Sequence, residues 1–220
     1  MTVCGPSEEK QRCMNKNLLI VFVKYPAPGT VKQRLARHIG AEAAAKIYRQ
    51  IAETIINNTV PNNAADYAVE ICFDPKDDKH LVQSWLTSSN RFSAQQGNGL
   101  GERMRNAFIC AFESGFKRVI LIGSDCPDIS RQIILQGFAH LQQKDIVIGP
   151  AYDGGYYLIG LRQQREEVFQ DIEWGTEKVF QQTCDKIKAA GLSFGLLPTL
   201  RDVDRVEDLK YYSFLEMSAS

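Results

Sequence analysis

The sequence lacks an excess of charge of either sign, because 26 lysines and arginines balance 26 aspartates and glutamates in 220 residues. Proteins that bind nucleic acid through its phosphates usually carry a basic excess, so this balance argues against nucleic-acid binding as the general function. No run of about 18 apolar residues is present, which argues against a membrane-spanning helix. We therefore expect no nucleic-acid partner and no membrane insertion.

Patterns typical of zinc sites and of secreted proteins are also missing. The six cysteines form no C-x-x-C pair, and the three histidines lie far apart in the sequence, so no structural zinc site is indicated. Residues 1–16 are polar and contain no apolar segment of a signal peptide, and we expect them to form a disordered or frayed arm. The cysteines are then expected to be reduced thiols in a cytoplasmic protein.

Short apolar runs alternate with helical patterns along the rest of the chain, 17–220. The first run, 18–25, is continuous and rich in β-branched and aromatic residues, which is typical of a strand buried on both faces. A helical stripe follows from Ala41, with isoleucines at four-residue steps at Ile47, Ile51 and Ile55. Further strands are predicted over 67–73, 91–96, 119–122, 145–149, 156–161 and 192–197. This alternation predicts a single α/β domain with a mostly parallel central sheet and helices on both faces.

A loop stiffened by two prolines and Gly29 follows the first strand and enters a helix whose first turn is predicted to hold Lys32 and Arg34. Cations at that end oppose the helix dipole, so helix stability alone does not explain them. Backbone amides together with these cations would hold a phosphate chain, although a solvated basic face is the alternative. The loop has no G-x-G-x-x-G pattern, which disfavours an NAD(P)-dependent oxidoreductase on a similar sheet.

Two acidic residues follow later strands of the predicted sheet. Asp125 comes after the strand 119–122, and Asp153 comes after the strand 145–149. Because ligands of such sheets bind beyond the carboxyl ends of the strands, we expect both carboxylates to reach one rim from adjacent strand ends. Two carboxylates, phosphate oxygens and water would complete a magnesium shell. The alternatives are a helix cap for Asp125 and a plain hairpin turn for Asp153.

Three other features carry weaker signals. Cys126 is interpreted as a thiol packed in its turn rather than a nucleophile, since no histidine stands nearby in the sequence. The glycine-rich segment 97–101 suits close approach of backbone to a nucleobase or ribose, and equally suits a tight turn. Asp202 and Asp204 could add a carboxylate to the site or could simply belong to an acid-rich helix start.

Six short segments follow one another between residues 17 and 209: K-x-P-x-P-G-x-x-K-x-R-L, G-x-G-L-G-E-R-M, I-G-S-D-C-P, G-P-A-x-D-G-G-Y-Y-L-I-G-L, W-G-T and D-V-D-x-x-E-D-L. In this order they resemble the small stand-alone GT-A-type transferases. That family is usually labelled as nucleotide-diphospho-sugar transferases or glycosyltransferases, and some members are associated with radical-SAM and selenium-domain proteins. The chain is similar, more distantly, to 2-phospholactate guanylyltransferases and molybdenum-cofactor nucleotidyltransferases.

The resemblance implies a Rossmann-like GT-A fold that binds a nucleotide together with Mg²⁺ or Mn²⁺. It implies Asp125 and Asp153 as metal ligands, and these two with Lys32 and Arg34 as the catalytic residues. The implied nucleotide-binding positions are Lys24, Gly29, Lys32, Arg34, Gly99 and Leu100. The implied acceptor loop is formed by Trp174, Gly175 and Thr176. Arg205 stands where the family usually has threonine, which puts the role of the last loop in doubt.

We therefore expect a magnesium-dependent transferase that acts on a nucleoside triphosphate or a nucleotide-diphospho-sugar, with a small-molecule acceptor. The cation-rich first loop suits a triphosphate, and no D-x-D follows the central strand. Both features favour nucleotidyl transfer, to an acceptor that bears a phosphate or carboxylate, slightly over glycosyl transfer from a nucleotide-sugar. A non-catalytic nucleotide sensor is the remaining alternative.

Overall fold

The computed structural model describes residues 16–86 and 91–215, so most of the predicted N-terminal arm lies outside the described residues. The strands are β1 (Asn17–Lys24), β2 (Ala68–Asp74), β3 (Arg91–Ala94), β4 (Arg118–Ile122), β5 (Ile146–Pro150), β6 (Tyr156–Leu161) and β7 (Phe194–Leu196). The α-helices are α1 (Gln33–Ile39), α2 (Ala41–Asn58), α3 (Lys79–Trp85), α4 (Leu100–Glu113), α5 (Arg131–His140) and α6 (Val179–Ala189). Short 3₁₀ helices cover Lys76–Asp78, Glu166–Phe169 and Val206–Tyr211.

The strands form one sheet in the order β3-β2-β1-β4-β6-β5-β7. Every neighbouring pair is parallel except those that involve β6, which runs antiparallel to both β4 and β5. The prediction of a mostly parallel sheet is therefore confirmed. Because β6 lies between β4 and β5, the loops that carry Asp125 and Asp153 do not leave from adjacent strands, and that part of the expectation is wrong.

Both faces of the sheet are covered by helices, as predicted. Leu19 and Val21 of β1 pack in a core with the isoleucine stripe of α2 and with side chains of α1, α3 and α5. The alternate residues Leu18 and Ile20 face the opposite core, where α4 and α6 supply Phe108, Ile187 and their neighbours. Burying one such side chain contributes about 1.5–3 kcal/mol, so the two layers fix the sheet firmly between them.

The chain direction places the carboxyl ends of β1 to β5 at the same edge of the sheet, and the loops that follow them carry most of the residues predicted for function. None of the helices within 16–86 and 91–215 is long and apolar enough to cross a membrane. The assignment of 17–220 to one domain and the cytoplasmic location stay predictions.

Candidate functional site

A cavity of about 1030 Å³ opens at the carboxyl edge of the sheet. It brings together residues that the sequence separates widely: Lys24, Lys32, Arg34, Leu100, Asp125, Asp153, Trp174, Gly175 and Thr176. Gly29 and Gly99 belong to the same loops but do not line the cavity. The structure thus gathers most of the predicted phosphate-binding, metal-binding and acceptor residues around one space.

Lys32 lies immediately before α1, not in its first turn as predicted, and its backbone is left-handed with φ 46° and ψ 47°. This conformation costs a non-glycine residue about 1–2 kcal/mol and persists where the surroundings hold it in place. The side chain is only 4% exposed, and its Nζ lies 2.5 Å from Asp125 Oδ1. A solvated basic face, the alternative considered for this loop, is therefore wrong for Lys32.

The charge of Lys32 is maintained by neighbouring carboxylates. Burial alone would lower the pKa of the Lys32 ammonium, but the charge and hydrogen bond of Asp125, with smaller contributions from Asp204 and Asp202, raise this pKa above its ordinary value. Arg34, the second predicted cation, is largely exposed and donates from Nη1 to Asp204 Oδ2 at 2.8 Å. Both cations therefore reach the cavity while paired with acids.

Asp125 does not cap the helix that follows it, so that alternative is wrong. Ser130 is the N-cap of α5, and its Oγ accepts a hydrogen bond from the backbone N–H of Ile133 at 3.5 Å. The backbone carbonyl of Asp125 accepts from the N–H of Val203, which fixes the turn against the last loop. Cys126 is buried, as expected, and burial first and the charge of Asp125 second raise its thiol pKa well above the ordinary value.

Asp153 lies in the connection of a β5–β6 hairpin, as the hairpin alternative predicts, and it also lines the cavity. Its role as a metal ligand stays a prediction. Its Oδ1 accepts a hydrogen bond from the N–H of Gly155 at 2.8 Å, and no residue in the described part of the chain donates to its Oδ2. Gly154 has φ 88°, and a Cβ there would lie 2.2 Å from the carbonyl oxygen of Glu177. This glycine allows the hairpin to contact the loop that follows Trp174.

Asp202 is a further acid of this cavity. Burial first and the charge of Asp153 second raise the pKa of the Asp202 carboxyl to about 6. Asp125 contributes to the same shift, so the three carboxylates act on one another across the cavity. Within the described ranges, however, no group of three or more His, Cys, Asp or Glu side chains is arranged to hold a metal ion.

Tyr48 is a residue that the sequence analysis did not find. It lies on the buried stripe of α2, and its hydroxyl accepts from the backbone N–H of Lys24 and contacts Ser124 Oγ, both at 2.8 Å. Because the N–H of Lys24 must donate, the Tyr48 hydroxyl is free to donate to Ser124. These bonds join the end of β1 to the loop after β4, which carries Asp125. A tyrosine in an otherwise aliphatic stripe was the available signal.

Gln95 was also missed, and it follows β3 at the cavity wall. Its side-chain Nε2 donates to the backbone carbonyls of Cys72 at 3.0 Å and Val23 at 3.3 Å. Since both contacted atoms are acceptors, the NH₂ of the Gln95 side chain must face them. Its Oε1 then points away and has no donor among the described residues. The structure therefore presents a fixed hydrogen-bond acceptor beside the cavity.

The predicted acceptor loop is anchored on the first turn of α4. The Trp174 indole packs against Gly101, where a Cβ would come within 2.4 Å of the indole Nε1. Tyr156 meets the same indole edge-on, with ring centroids 6.4 Å apart. Leu100 lies exposed at the neighbouring position of the cavity wall. Leu100, Tyr156 and Trp174 thus give part of the cavity wall an apolar and aromatic surface.

Comparison with known proteins confirms the family and the fold. A crystal structure from Desulfovibrio desulfuricans G20, provisionally described as a nucleotide-diphospho-sugar transferase, is 38% identical in sequence, with a TM-score of 0.84 over 93% of this chain and 90% of that chain. The family model of DUF2064, described as "Uncharacterized protein conserved in bacteria", matches residues 59–176. No curated protein sequence matches.

More distant structures share the fold alone. A CMP:2-keto-3-deoxy-manno-octonic acid synthetase solved with CTP is 11% identical, with a TM-score of 0.53 over 90% of this chain and 96% of that chain. Rv0371c from Mycobacterium tuberculosis H37Rv, solved with manganese, is 8% identical, with a TM-score of 0.51 over 92% and 99%. The fold is therefore the Rossmann-like α/β fold of GT-A and nucleotidyltransferase structures. Within it, the chain belongs to the DUF2064 family.

Proposed function

We propose that this protein is a nucleotidyltransferase that uses a divalent cation and a nucleoside triphosphate. The acceptor is a small molecule that bears a phosphate or a carboxylate. The observation that carries the proposal is the buried ammonium of Lys32, held at 2.5 Å from Asp125 in a cavity that Asp153 also lines. A buried cation beside acids at the carboxyl edge of such a sheet is suited to binding phosphate oxygens.

The relatives support nucleotide chemistry in this fold. The protein at 38% identity is provisionally described as a nucleotide-diphospho-sugar transferase, and a synthetase with the same fold was solved with CTP. The cavity of about 1030 Å³ lies just above the range typical of small-molecule sites, about 300–1,000 Å³, which leaves room for a nucleotide and a small acceptor together. Both observations agree with a two-substrate transferase.

The donor set fits a hard divalent cation such as Mg²⁺ or Mn²⁺. Asp153 offers Oδ2 without a donor among the described residues, and Asp125 is half-exposed toward the cavity. Two protein carboxylates are the usual contribution to a magnesium site, in which phosphate oxygens and water supply the rest. Asp125 and Asp153 would hold the cation, and it would neutralise charge on the phosphates. A structure of this fold was solved with manganese, which supports the choice of a divalent cation but not of particular ligands.

The nucleoside is expected against Leu100 and Trp174, which would give Trp174 a base-binding role in place of the acceptor role that the resemblance implies. Apolar and aromatic side chains at this wall suit a flat base, and the fixed Oε1 of Gln95 accepts a hydrogen bond from a base N–H. Lys24 also lines the cavity and adds a further cation to it. The triphosphate would then extend from Gln95 toward Lys32 and Arg34.

The chemistry requires positioning and charge rather than a covalent intermediate on the protein. An oxygen of the acceptor phosphate or carboxylate attacks the α-phosphorus, and the bond from that phosphorus to the pyrophosphate oxygen breaks. Lys32 stabilises the charge that develops on the phosphate oxygens, and Arg34 assists at the leaving pyrophosphate. Asp125 keeps Lys32 protonated throughout, because it raises the pKa of the ammonium.

The proposal is tested by binding and by product analysis. Isothermal titration with each nucleoside triphosphate should show affinity that depends on Mg²⁺, and incubation with candidate acceptors should release pyrophosphate. Binding with no turnover on any acceptor would instead support a nucleotide sensor. The absence of nucleotide binding, with or without the metal, would contradict the proposal.

A glycosyltransferase that uses a nucleotide-sugar is the second candidate, favoured by the description of the 38% identical relative. In that reaction the acceptor attacks a sugar carbon, and a nucleoside diphosphate leaves. The same residues would hold the diphosphate. Release of a nucleoside diphosphate from a nucleotide-sugar, without pyrophosphate from any triphosphate, would select this candidate.

A further inference from the structure

Arg201 lines the cavity and contacts two tyrosine rings. Its guanidinium carbon lies 4.8 Å from the ring centroid of Tyr152 and 4.3 Å from that of Tyr211. The two tyrosines are 65% and 53% exposed, and Arg201 and Tyr152 both line the cavity. The flat guanidinium is therefore held by aromatic rings that the core does not require.

Among the described residues, this guanidinium forms one long ion pair, with Asp208, and no hydrogen bond. No residue within the described ranges accepts a hydrogen bond from the Arg201 side chain, which is 32% exposed. The nearest carboxylate is that of Asp208, whose Oδ1 lies 3.9 Å from Arg201 Nη1, beyond hydrogen-bond distance. Asp208 Oδ2 already accepts from the backbone N–H groups of Asp204 and Arg205. The rings position Arg201 while its donor edge stays available.

The neighbours of this group connect it to the proposed reaction centre. Tyr152 directly precedes Asp153, and Arg201 directly precedes Asp202. An arginine held by contacts with two aromatic rings binds an oxyanion in bidentate fashion with little further loss of side-chain freedom. Arg201 therefore adjoins two acids of the cavity, and its loop also carries Asp204, the partner of Arg34. Because Lys32 and Arg34 are assigned to the nucleotide phosphates, this additional guanidinium suits the second substrate.

We propose that Arg201 binds the oxyanion of the acceptor, a phosphate or a carboxylate, with Tyr152 and Tyr211 holding the guanidinium in place. This inference rests on the proposed function, because the acceptor is the second substrate of that reaction. The acidic neighbours Asp202 and Asp208 weaken the attraction for a bare anion. Suitable probes therefore carry hydroxyl groups as well: glycerol 3-phosphate for the phosphate and glycerate for the carboxylate.

The test is isothermal titration of the full chain with each probe. The Arg201→Gln variant should bind the preferred probe about tenfold more weakly, because a charge-assisted bidentate contact is lost. Arg201→Lys should lose a similar factor, since an ammonium lacks the planar fork. Lys210→Gln is the matched control: Lys210 Nζ lies 5.0 Å from the Tyr211 ring centroid, but Lys210 does not line the cavity. It should leave affinity unchanged.

Several outcomes would overturn the inference. These are an absence of binding of either probe to the wild-type protein, unchanged binding in Arg201→Gln, and equal losses in Arg201→Gln and Lys210→Gln. The inference would also be overturned if Arg34→Gln weakened probe binding while Arg201→Gln did not. The probe would then occupy the nucleotide phosphate site. Nucleotide titrations of the same proteins separate the two proposals. Failure of the wild-type protein to bind nucleotide contradicts the proposed function, whereas loss of Arg201 dependence with nucleotide binding intact contradicts this inference alone.

Discussion

Lys32 and Asp125 form an ion pair whose two members are buried to very different degrees. Lys32 Nζ and Asp125 Oδ1 lie 2.5 Å apart, yet the lysine side chain is 4% exposed and the aspartate 53%. An exposed carboxylate is solvated without its partner, whereas a buried ammonium is not. The stability of the fold therefore depends more on Asp125 than on Lys32.

This asymmetry predicts unequal effects of removing each charge. Asp125→Asn leaves the buried ammonium without its nearest counter-charge and should lower the free energy of unfolding by about 2 kcal/mol. Lys32→Met keeps the approximate volume of the side chain, and methionine must adopt the same left-handed backbone. It should lower the free energy of unfolding by less than about 1 kcal/mol, because Asp125 faces solvent. Urea denaturation at neutral pH measures both. A larger loss for Lys32→Met than for Asp125→Asn would contradict the described burial of the pair.

Gln95 is predicted to contribute to nucleotide affinity through its Oε1. Gln95→Met removes the acceptor and both donors, so nucleotide affinity should fall about tenfold and stability by about 1 kcal/mol. The neighbouring Gln96→Met is the control, because Gln96 is exposed and does not line the cavity. Calorimetric titration with the nucleoside triphosphate that the wild-type protein binds measures the effect. Equal affinities of the two variants would show that Gln95 serves only to hold the strand ends together.

Gly101 is predicted to set the position of the Trp174 loop. In Gly101→Ala the new methyl group would meet the indole at 2.4 Å, so the indole must move, at a cost of about 1–3 kcal/mol. Gly99→Ala is the control, because a Cβ there meets nothing within 4 Å. Tryptophan fluorescence in a Trp85→Phe background, which leaves Trp174 as the single tryptophan, should change for Gly101→Ala and not for Gly99→Ala. Identical spectra for both variants would contradict this packing.

Asp202 is predicted to destabilise the fold at neutral pH. Its folded-state pKa of about 6 lies above the ordinary 3.8, so the stabilisation from its protonated form is present below pH 3.8 and is lost as the pH rises through 6. Asp202→Asn should therefore raise the melting temperature by about 2–4 °C at pH 7.5, which corresponds to about 1 kcal/mol after solvent screening. At pH 4 the gain should be much smaller.

Asp204→Asn is the control for this measurement, because Asp204 is paired with Arg34 and its loss should give no gain at either pH. A melting-temperature gain for Asp202→Asn that is the same at pH 4 and pH 7.5 would exclude titration of the carboxyl as its cause.

Local patterns in the sequence were sufficient to predict the sheet and the rim of the cavity. The apolar run after Asn17 and the isoleucine stripe of α2 reflect burial that depends mainly on short-range periodicity. The same holds for the placement of Asp125 at a strand end. The insertion of β6 between β4 and β5 could not be predicted, because strand order depends on contacts between distant segments.

The residues that the sequence did not reveal act through tertiary contacts. Tyr48 belongs to a helix stripe that resembles ordinary core, and its hydroxyl matters only because Lys24 and Ser124 meet it. Gln95 acquires a fixed orientation only from the carbonyls of two other strands. The contacts of Arg201 with two tyrosine rings likewise require two loops and the 3₁₀ helix Val206–Tyr211 to meet at the cavity. No spacing within one segment encodes these contacts.

The most direct test of the account is to locate the divalent cation. Crystals of the full chain would be grown with Mn²⁺ and a non-hydrolysable analogue of the nucleotide that the protein binds in titrations. The anomalous scattering of manganese would then be measured. The account predicts one manganese peak within about 2.5 Å of carboxylate oxygens of both Asp125 and Asp153, in contact with the phosphates. Density for the nucleotide in the cavity with manganese elsewhere, or bound by neither aspartate, would contradict it.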